Sequence, residues 1–259
     1  ARPGRAAELA EAELVAAGRG PAPADYALLV LGSGGRGESL LAPDQDNALV
    51  IADDYTGDLD DPDDWFTRFA ARINEILDRA GIPYCKGGVM AKNRPWRRRL
   101  GEWLDQARDW AGHPSPQALL NVDIFYDFTP AHVSGSGGSR LAGQLRRDAG
   151  EIARGSLSML RALGNAAGSH APPLGLFGRI KKDDTGRVDL KAGGLLPIVS
   201  GARAIALRHG VASLSTPQRL RQAAEKAGRS QADADLLADI HGFLMRLILS
   251  QQIADLEAG

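Results

Sequence analysis

Cysteine is almost absent: Cys85 is the only one in 259 residues, which excludes an internal disulfide and any cysteine-rich zinc site. Long apolar runs are missing too. No stretch reaches the roughly 18 apolar residues of a membrane helix, and the first residues lack the apolar core of a signal peptide. A cytoplasmic chain without membrane contact is therefore expected. Charge of one sign is also lacking, since 31 Lys and Arg against 32 Asp and Glu leave a formal net charge of −1. That balance provides no global basic field for nucleic acid, although a local basic patch is compatible with it. The first residue is Ala1 rather than methionine, so the chain is expected to be a segment of something longer.

What is present suffices for a packed core. With 44% hydrophobic and 24% charged residues the chain is not disordered overall, and its length suits one large domain or two ordinary ones.

The most informative stretch is Tyr26 to Ile51, YALLVLGSGGRGESLLAPDQDNALVI. Tyr26 to Leu31 is a short apolar run ending in glycine, as a buried strand does when it enters a turn. Gly32-Ser33-Gly34-Gly35-Arg36-Gly37 then offers backbone N–H groups unobstructed by side chains, beside one guanidinium, which suits phosphate oxygens. Asp44-Gln45-Asp46 opens the next apolar run, Asn47 to Ile51, and on a strand that spacing turns both carboxylates to one face. Crowded carboxylates repel unless a cation lies between them. A hard divalent ion such as Mg²⁺, which takes oxygen ligands and substrate phosphates together, resolves the conflict.

Gly32, Gly34 and Gly37 also fit the G-x-G-x-x-G pattern of dinucleotide folds, with Asp53 or Asp54 as the ribose acid. The crossover decides against that reading. The few residues between Gly37 and Asp44, ending in Pro43, are too few for the dozen or so that a parallel crossover needs.

Gly-Ser, then Arg, then Asp-x-Asp at the start of the next strand resembles the nucleotidyltransferase superfamily that includes DNA polymerase beta and kanamycin nucleotidyltransferase. The fuller string is similar to a bacterial branch. It holds PII uridylyltransferase, glutamine synthetase adenylyltransferase and the nucleotidyltransferase-like domains attached to CBS and cyclic-nucleotide-binding modules. The resemblance implies a third acid on a later strand.

Along the rest of the chain, Arg5 to Ala17 reads as a helix, broken by Gly20-Pro21-Ala22-Pro23. Asp53 to Asp64 contains seven aspartates and reads as a solvated loop leading into a helix capped by Asp61. Phe66, Phe69, Ala70, Ile73, Leu77 and Ala80 form that helix's buried stripe and Gly81 stops it. Tyr84 to Trp96 is a loop whose C-x-G-G-V-M-A string again resembles the CBS-associated branch. Cys85 in it reads as a packed thiol, since no His-Asp partners accompany it. Trp96, Leu100, Trp103, Ala107 and Trp110 have helical spacing, with Arg97, Arg98 and Arg99 solvated or one of them reaching phosphate.

Ser115-Pro116 caps a short helix through Leu120, and Asn121 to Phe128 then reads as a strand with Asp123, Phe125 and Asp127 on one face. The resemblance favours Asp127 as the third acid, because the branch carries F-F-D-F-R where this chain has Phe125 to Thr129, with Thr129 replacing the arginine. Asp123 is the fallback.

Ser134 to Ser139 reads as a flexible domain boundary. Beyond it, Leu141 to Leu163 forms one long helical segment, and residues 177–191 suggest a hairpin. Asp189 to Ile198 resembles the K-x-G-G-L/I-x-D-I segment of the same enzymes, with Pro197 at the acidic position. Lys191 either neutralises a triphosphate or is a solvated lysine at a helix start. Helices over Leu195 to His209, Pro217 to Ala227 and Gln231 to Leu256 complete a four-helix bundle with the Leu141 segment. Leu236, Ile240, Leu244, Leu247 and Ile248 are expected to line the last one's buried face.

The expected architecture is thus an N-terminal helix (1–20), a mixed-sheet α/β nucleotidyltransferase domain (21–134) and an all-α substrate-binding domain (140–259). The resemblance implies transfer of an NMP group from an NTP to an acceptor hydroxyl, uridylyl- or adenylyltransferase-like. In that reading Asp44, Asp46 and Asp127 are catalytic and hold Mg²⁺ or Mn²⁺, while Gly32, Ser33, Gly34, Arg36 and Lys191 hold the nucleotide. The acceptor, a protein being one candidate, is not identified, and CBS or cyclic-nucleotide-binding modules are expected upstream. The alternative is a catalytically weak nucleotide-binding sensor module.

Overall fold

A computed structural model describes residues 3–41, 43–173, 179–182, 184 and 186–258. Among them no helix is long and apolar enough to cross a membrane. The chain divides into two compact units, one containing the residues through Asp109 with Ile124–Gly150, the other Trp110–Asp123 with Glu151–Gly259.

The first unit is built on a four-stranded mixed sheet. β1 (Tyr26–Val30) and β2 (Asn47–Ile51) pair antiparallel with Leu28 opposite Leu49, β3 (Arg97–Arg99) lies parallel to β2, and β4 (Thr129–Val133) lies antiparallel to β1. The order is β3-β2-β1-β4. The short connection between β1 and β2 leaves antiparallel return as the available geometry, as the sequence indicated.

Alternation sorts the strand residues onto two faces. Tyr26, Leu28, Leu49 and Ile51 pack with Ala6, Ala7 and Ala10 of α1 (Pro3–Ala16) and with Phe66, Phe69, Ile73 and Leu77 of α3 (Trp65–Arg79). Beyond β2, the buried Trp103 of α4 (Leu100–Gly112) donates from its indole Nε1 to Leu49 O at 2.9 Å and stacks on Phe125 at 4.9 Å between centroids. α3 begins at Trp65, and its cap is Asp64, whose carboxylate accepts the N–H groups of Phe66 and Thr67, not Asp61.

Three local expectations are corrected. Residues 121–128 are not a strand: α5 runs from Pro116 to Phe125. Ala118, Val122 and Phe125 are all buried, a helical spacing that overrides the apparent alternation of Asp123, Phe125 and Asp127. The strand comes next, at Thr129–Val133, and its Pro130 is tolerated because β4 is an edge. Arg97–Arg99 is strand rather than helix, with Arg97 buried and Arg98 and Arg99 half-buried. Arg97 donates to the carbonyls of Leu59, Ala91 and Lys92 at 2.8–2.9 Å. Ser134–Ser139 is not an open linker, because α6 (Gly135–Gly155) starts within it and Ser134 Oγ accepts the Tyr26 N–H at 2.6 Å.

The second unit is all helical. The segment expected as one helix over 141–163 breaks at Ser156, which caps α7 (Leu157–Ser169) by accepting the Met159 N–H. α7 packs on α8 (Leu196–His209), α8 on α9 (Thr216–Ala227) and α9 on α10 (Gln231–Glu257). Ser230 caps α10 through the Asp233 N–H, in the position read from the sequence. The buried face of α10 is not the leucine stripe. Ala234, Ala238 and His241 are buried, whereas Leu236, Ile240 and Leu247 are exposed. Of the hairpin expected over 177–191, residues 177, 178, 183 and 185 lie outside the described residues, and the described ones form no strand: Ile180 is an isolated bridge and Lys191 already opens a helical turn.

Candidate functional site

The turn after β1 is built from glycine for reasons the backbone states. Gly32 has φ +53° and Gly37 φ +72°, both in the left-handed region that favours glycine. Between them α2 (Gly32–Arg36) is a single short helical turn, closed by the Gly37 N–H on Gly34 O. A Cβ on Gly35 would lie 1.8 Å from the backbone oxygen of Asp127 and 2.7 Å from that of Val30, so only glycine lets the chain before β4 pass so close. Thr129, which stands where the related branch has arginine, donates its hydroxyl to Gly35 O at 2.8 Å. It ties β4 to the same turn.

Asp44 and Asp46 follow immediately, on the extended segment before β2. Gln45 between them is 2% exposed, while Asp44 is exposed and Asp46 half-buried. The alternation therefore turns both carboxylates to one side. The Leu31 N–H bonds Asp46 O at 2.9 Å, and a Cβ on Gly32 would meet Asp46 Oδ2 at 3.1 Å. Asp44, Asp46, Gly34 and Ser39 share a cleft of about 320 Å³ with Val30, Leu77, Ile82 and Pro130. It joins a carboxylate rim to an apolar wall. Ser33 faces Ser39, hydroxyl to hydroxyl, at 3.3 Å.

Cys85 also touches this rim. Burial pushes its thiol pKa up and the hydrogen-bonded Asp46 carboxylate adds to the shift, so it is a packed thiol and not an activated nucleophile.

Arg36 and Asp127 are placed differently from the expectation. Asp127 is fully buried, and its Oδ2 receives Arg36 Nη1 at 2.5 Å. Arg36 Nε donates to Glu38 Oε2 at 2.7 Å. The guanidinium is thus held between two carboxylates of its own chain. Among the described residues no three His, Cys, Asp or Glu side chains are grouped so as to hold a metal ion. Two carboxylates on one rim do suit a hard ion that keeps most of its water and binds substrate phosphates, so Asp44 and Asp46 fit Mg²⁺ in that limited sense.

A positioning device escaped the sequence reading. Gln45, Asn47 and Asn74 form a buried amide cluster in which Asn74 Nδ2 donates to Gln45 Oε1 (2.8 Å) and Asn47 Oδ1 (3.1 Å). Asn47 Oδ1 also accepts the Ala91 N–H at 2.9 Å, and Asn74 Oδ1 the Lys92 N–H at 3.0 Å. The cluster therefore fixes both the Asp44–Asp46 segment and the loop that carries Cys85. Its signal was Asn74 itself, a polar residue within the apolar stripe of α3.

The remaining candidates belong to the helical unit. Asp123 pairs with Arg203, Oδ1 to Nη1, at 2.5 Å and accepts from Ser200 at 3.3 Å. Lys191 is exposed and opens a π-helical turn, Lys191–Leu195. The glycines after it have a packing reason. A Cβ on Gly193 would lie 2.7 Å from Pro173 Cδ, and one on Gly194 3.2 Å from Leu244 Cδ1.

No curated protein matches the chain. Residues 4–117, which include the glycine turn and Asp44 to Asp46, match the family described as putative nucleotidyltransferase DUF294. Residues 158–259 match the family described as putative nucleotidyltransferase substrate binding domain. An α/β unit with this turn and carboxylate rim, followed by a helical unit, thus carries the DUF294 and DUF294_C domain pair over these two stretches.

Proposed function

We propose that the α/β unit binds a nucleoside triphosphate and acts as a catalytically weak sensor module of a larger regulatory protein. The observation that carries this reading is the Arg36–Asp127 ion pair. A carboxylate buried against a guanidinium is already neutralised, and recruiting it as a third metal ligand would break the pair. Asp44 and Asp46 remain on the cleft, where they would hold Mg²⁺ or Mn²⁺ at the nucleotide phosphates. When bound, such an ion offsets phosphate charge and polarises the phosphoryl oxygens. The chain's own part is to orient: the amide cluster holds the two acids in place, Gly34 and Ser39 leave room beside them, and Val30, Leu77 and Ile82 give the apolar portion of the ligand a dry wall.

The second reading is NMP transfer, uridylyl- or adenylyltransferase-like, and the family descriptions favour it. There an acceptor hydroxyl, a protein's being one candidate, forms the new bond to the α phosphorus while the bond to the β phosphate oxygen breaks. Pyrophosphate leaves, and the hydroxyl proton passes to a carboxylate or to water. Asp127 joins that chemistry only by parting from Arg36. Lys191, exposed at the start of the π-helical turn, remains a proposed anion-binding side chain of the helical unit.

The test uses the full chain with a fluorescent ATP or UTP analogue, with Mg²⁺ and with EDTA, and in parallel an α-³²P-labelled NTP with cell lysate. The sensor reading expects Mg²⁺-dependent binding, weakened about tenfold or more in Asp46→Asn, and no label on any acceptor. Label transferred at enzymatic turnover rates would establish the second reading instead. Absence of nucleotide binding would defeat both.

A further inference from the structure

From the outward face of α10 we infer that the helical unit pairs with a second copy of itself, helix against helix, in antiparallel register. The observation is a helix apolar on opposite sides. One side, Ala234, Ala238 and His241, is buried, and the two alanines pack with Ala202, Leu220 and Ala224. On the other, Leu236, Ile240, Phe243 and Leu247 recur at spacings of four, three and four residues and are all exposed, Leu236 at 60% and Phe243 at 52%. Half a turn separates the two sets, so the second cannot join the core the first has joined. A continuous apolar seam in water is the mark of an interaction surface, and this spacing is that of a two-helix seam.

The flanks indicate which occupant fits. One side of the seam carries Asp239 and Arg246, both exposed; the other carries Leu237, exposed, and Leu244, half-buried beside Gly194. Set two such helices antiparallel about a two-fold axis between His241 and Gly242. Leu236 then meets the partner's Leu247, and Ile240 the partner's Phe243. The same register, with no further adjustment, puts Asp239 opposite the partner's Arg246 and Leu237 opposite the partner's Leu244. Charge meets opposite charge twice over, and leucine meets leucine twice over, as an isologous interface requires. A parallel pair would instead set Asp239 against a leucine. The self-complementarity selects a second copy over an unrelated partner. It does not depend on what the α/β unit binds.

The test is the mass of the full chain in solution, by sedimentation equilibrium across a hundredfold range of concentration. The inference expects wild type to reach twice the 27.4 kDa of one chain. Phe243→Glu should remain monomeric. Asp239→Arg, exposed and remote from the core, should weaken the dimer roughly tenfold by opposing like charges at two symmetry-related places. The double variant D239R/R246D should restore it, which a role in folding alone would not produce. Circular dichroism melts of each variant separate lost folding from lost pairing. A monomeric wild type overturns the inference, as does a dimer indifferent to Phe243→Glu, or one that the double exchange fails to restore.

Discussion

Arg36 and Asp127, far apart in the chain, meet as a buried ion pair at 2.5 Å between the glycine turn and the residues leading into β4. The pair accounts for a glycine, since Asp127 comes close enough that no side chain fits at Gly35. It also accounts for an arginine that would otherwise read as a phosphate ligand. Breaking a buried pair from one side is costly. Arg36→Ala should lower the stability of the α/β unit by about 3 kcal/mol, measured by urea unfolding, with Asp127→Asn destabilising in the same direction. If Asp127→Asn left the unfolding midpoint unchanged, the pair would not be holding the turn.

Glycines in this turn differ in kind, and alanine separates them. At Gly35 a Cβ meets backbone oxygen at 1.8 Å, whereas at Gly37 the space is open and only the positive φ resists. Gly37→Ala should cost about 1 kcal/mol and Gly35→Ala several times that. Thermal melts of the two variants give the comparison.

The amide cluster predicts a local effect. Asn74→Ala removes the donor to Gln45 and Asn47 and the acceptor of the Lys92 N–H. A loss of about 2 to 4 kcal/mol is expected from the stranded buried partners. Hydrogen exchange should quicken at the Ala91 and Lys92 amides while the α9 amides keep their protection. Unchanged exchange at Ala91 would show that the loop is held by other means.

Glu102 links stability to acid. Burial would raise its pKa, but the Arg99 backbone N–H and the Arg94 guanidinium, each at 2.8 Å, outweigh burial and hold it below the ordinary glutamate value. A depressed carboxyl stabilises the fold above its unfolded pKa, and that contribution is lost as pH falls through the folded one. Wild type should therefore lose stability progressively below about pH 4.5, and Glu102→Gln should lose less over the same interval. Parallel pH profiles for the two proteins would remove Glu102 from the account.

What the sequence determined by itself rests on neighbours in the chain, though not every local detail: the cap of α3 is Asp64 rather than Asp61, and the long helix breaks at Ser156. The few residues between Gly37 and Asp44 exclude a parallel crossover, so the antiparallel β1–β2 pair was legible in the sequence, whereas the mixed sheet was an implication of the family resemblance and its parallel member, β3, falls on residues with helical spacing. Ser230 and Ser115 start helices through their own hydroxyls, and Asp44 and Asp46 share a side because an extended chain alternates. Tertiary structure decided where two local signals competed or where a partner lay far away. Residues 116–125 became helix because burying Ala118, Val122 and Phe125 together outweighed a short alternation. Arg36, read from the sequence as a phosphate ligand, pairs with Asp127 because the approach at Gly35 brings a buried carboxylate within reach. On α10 two apolar stripes were available, and the core took the alanines, since small side chains let helices approach closely, leaving the larger residues outward.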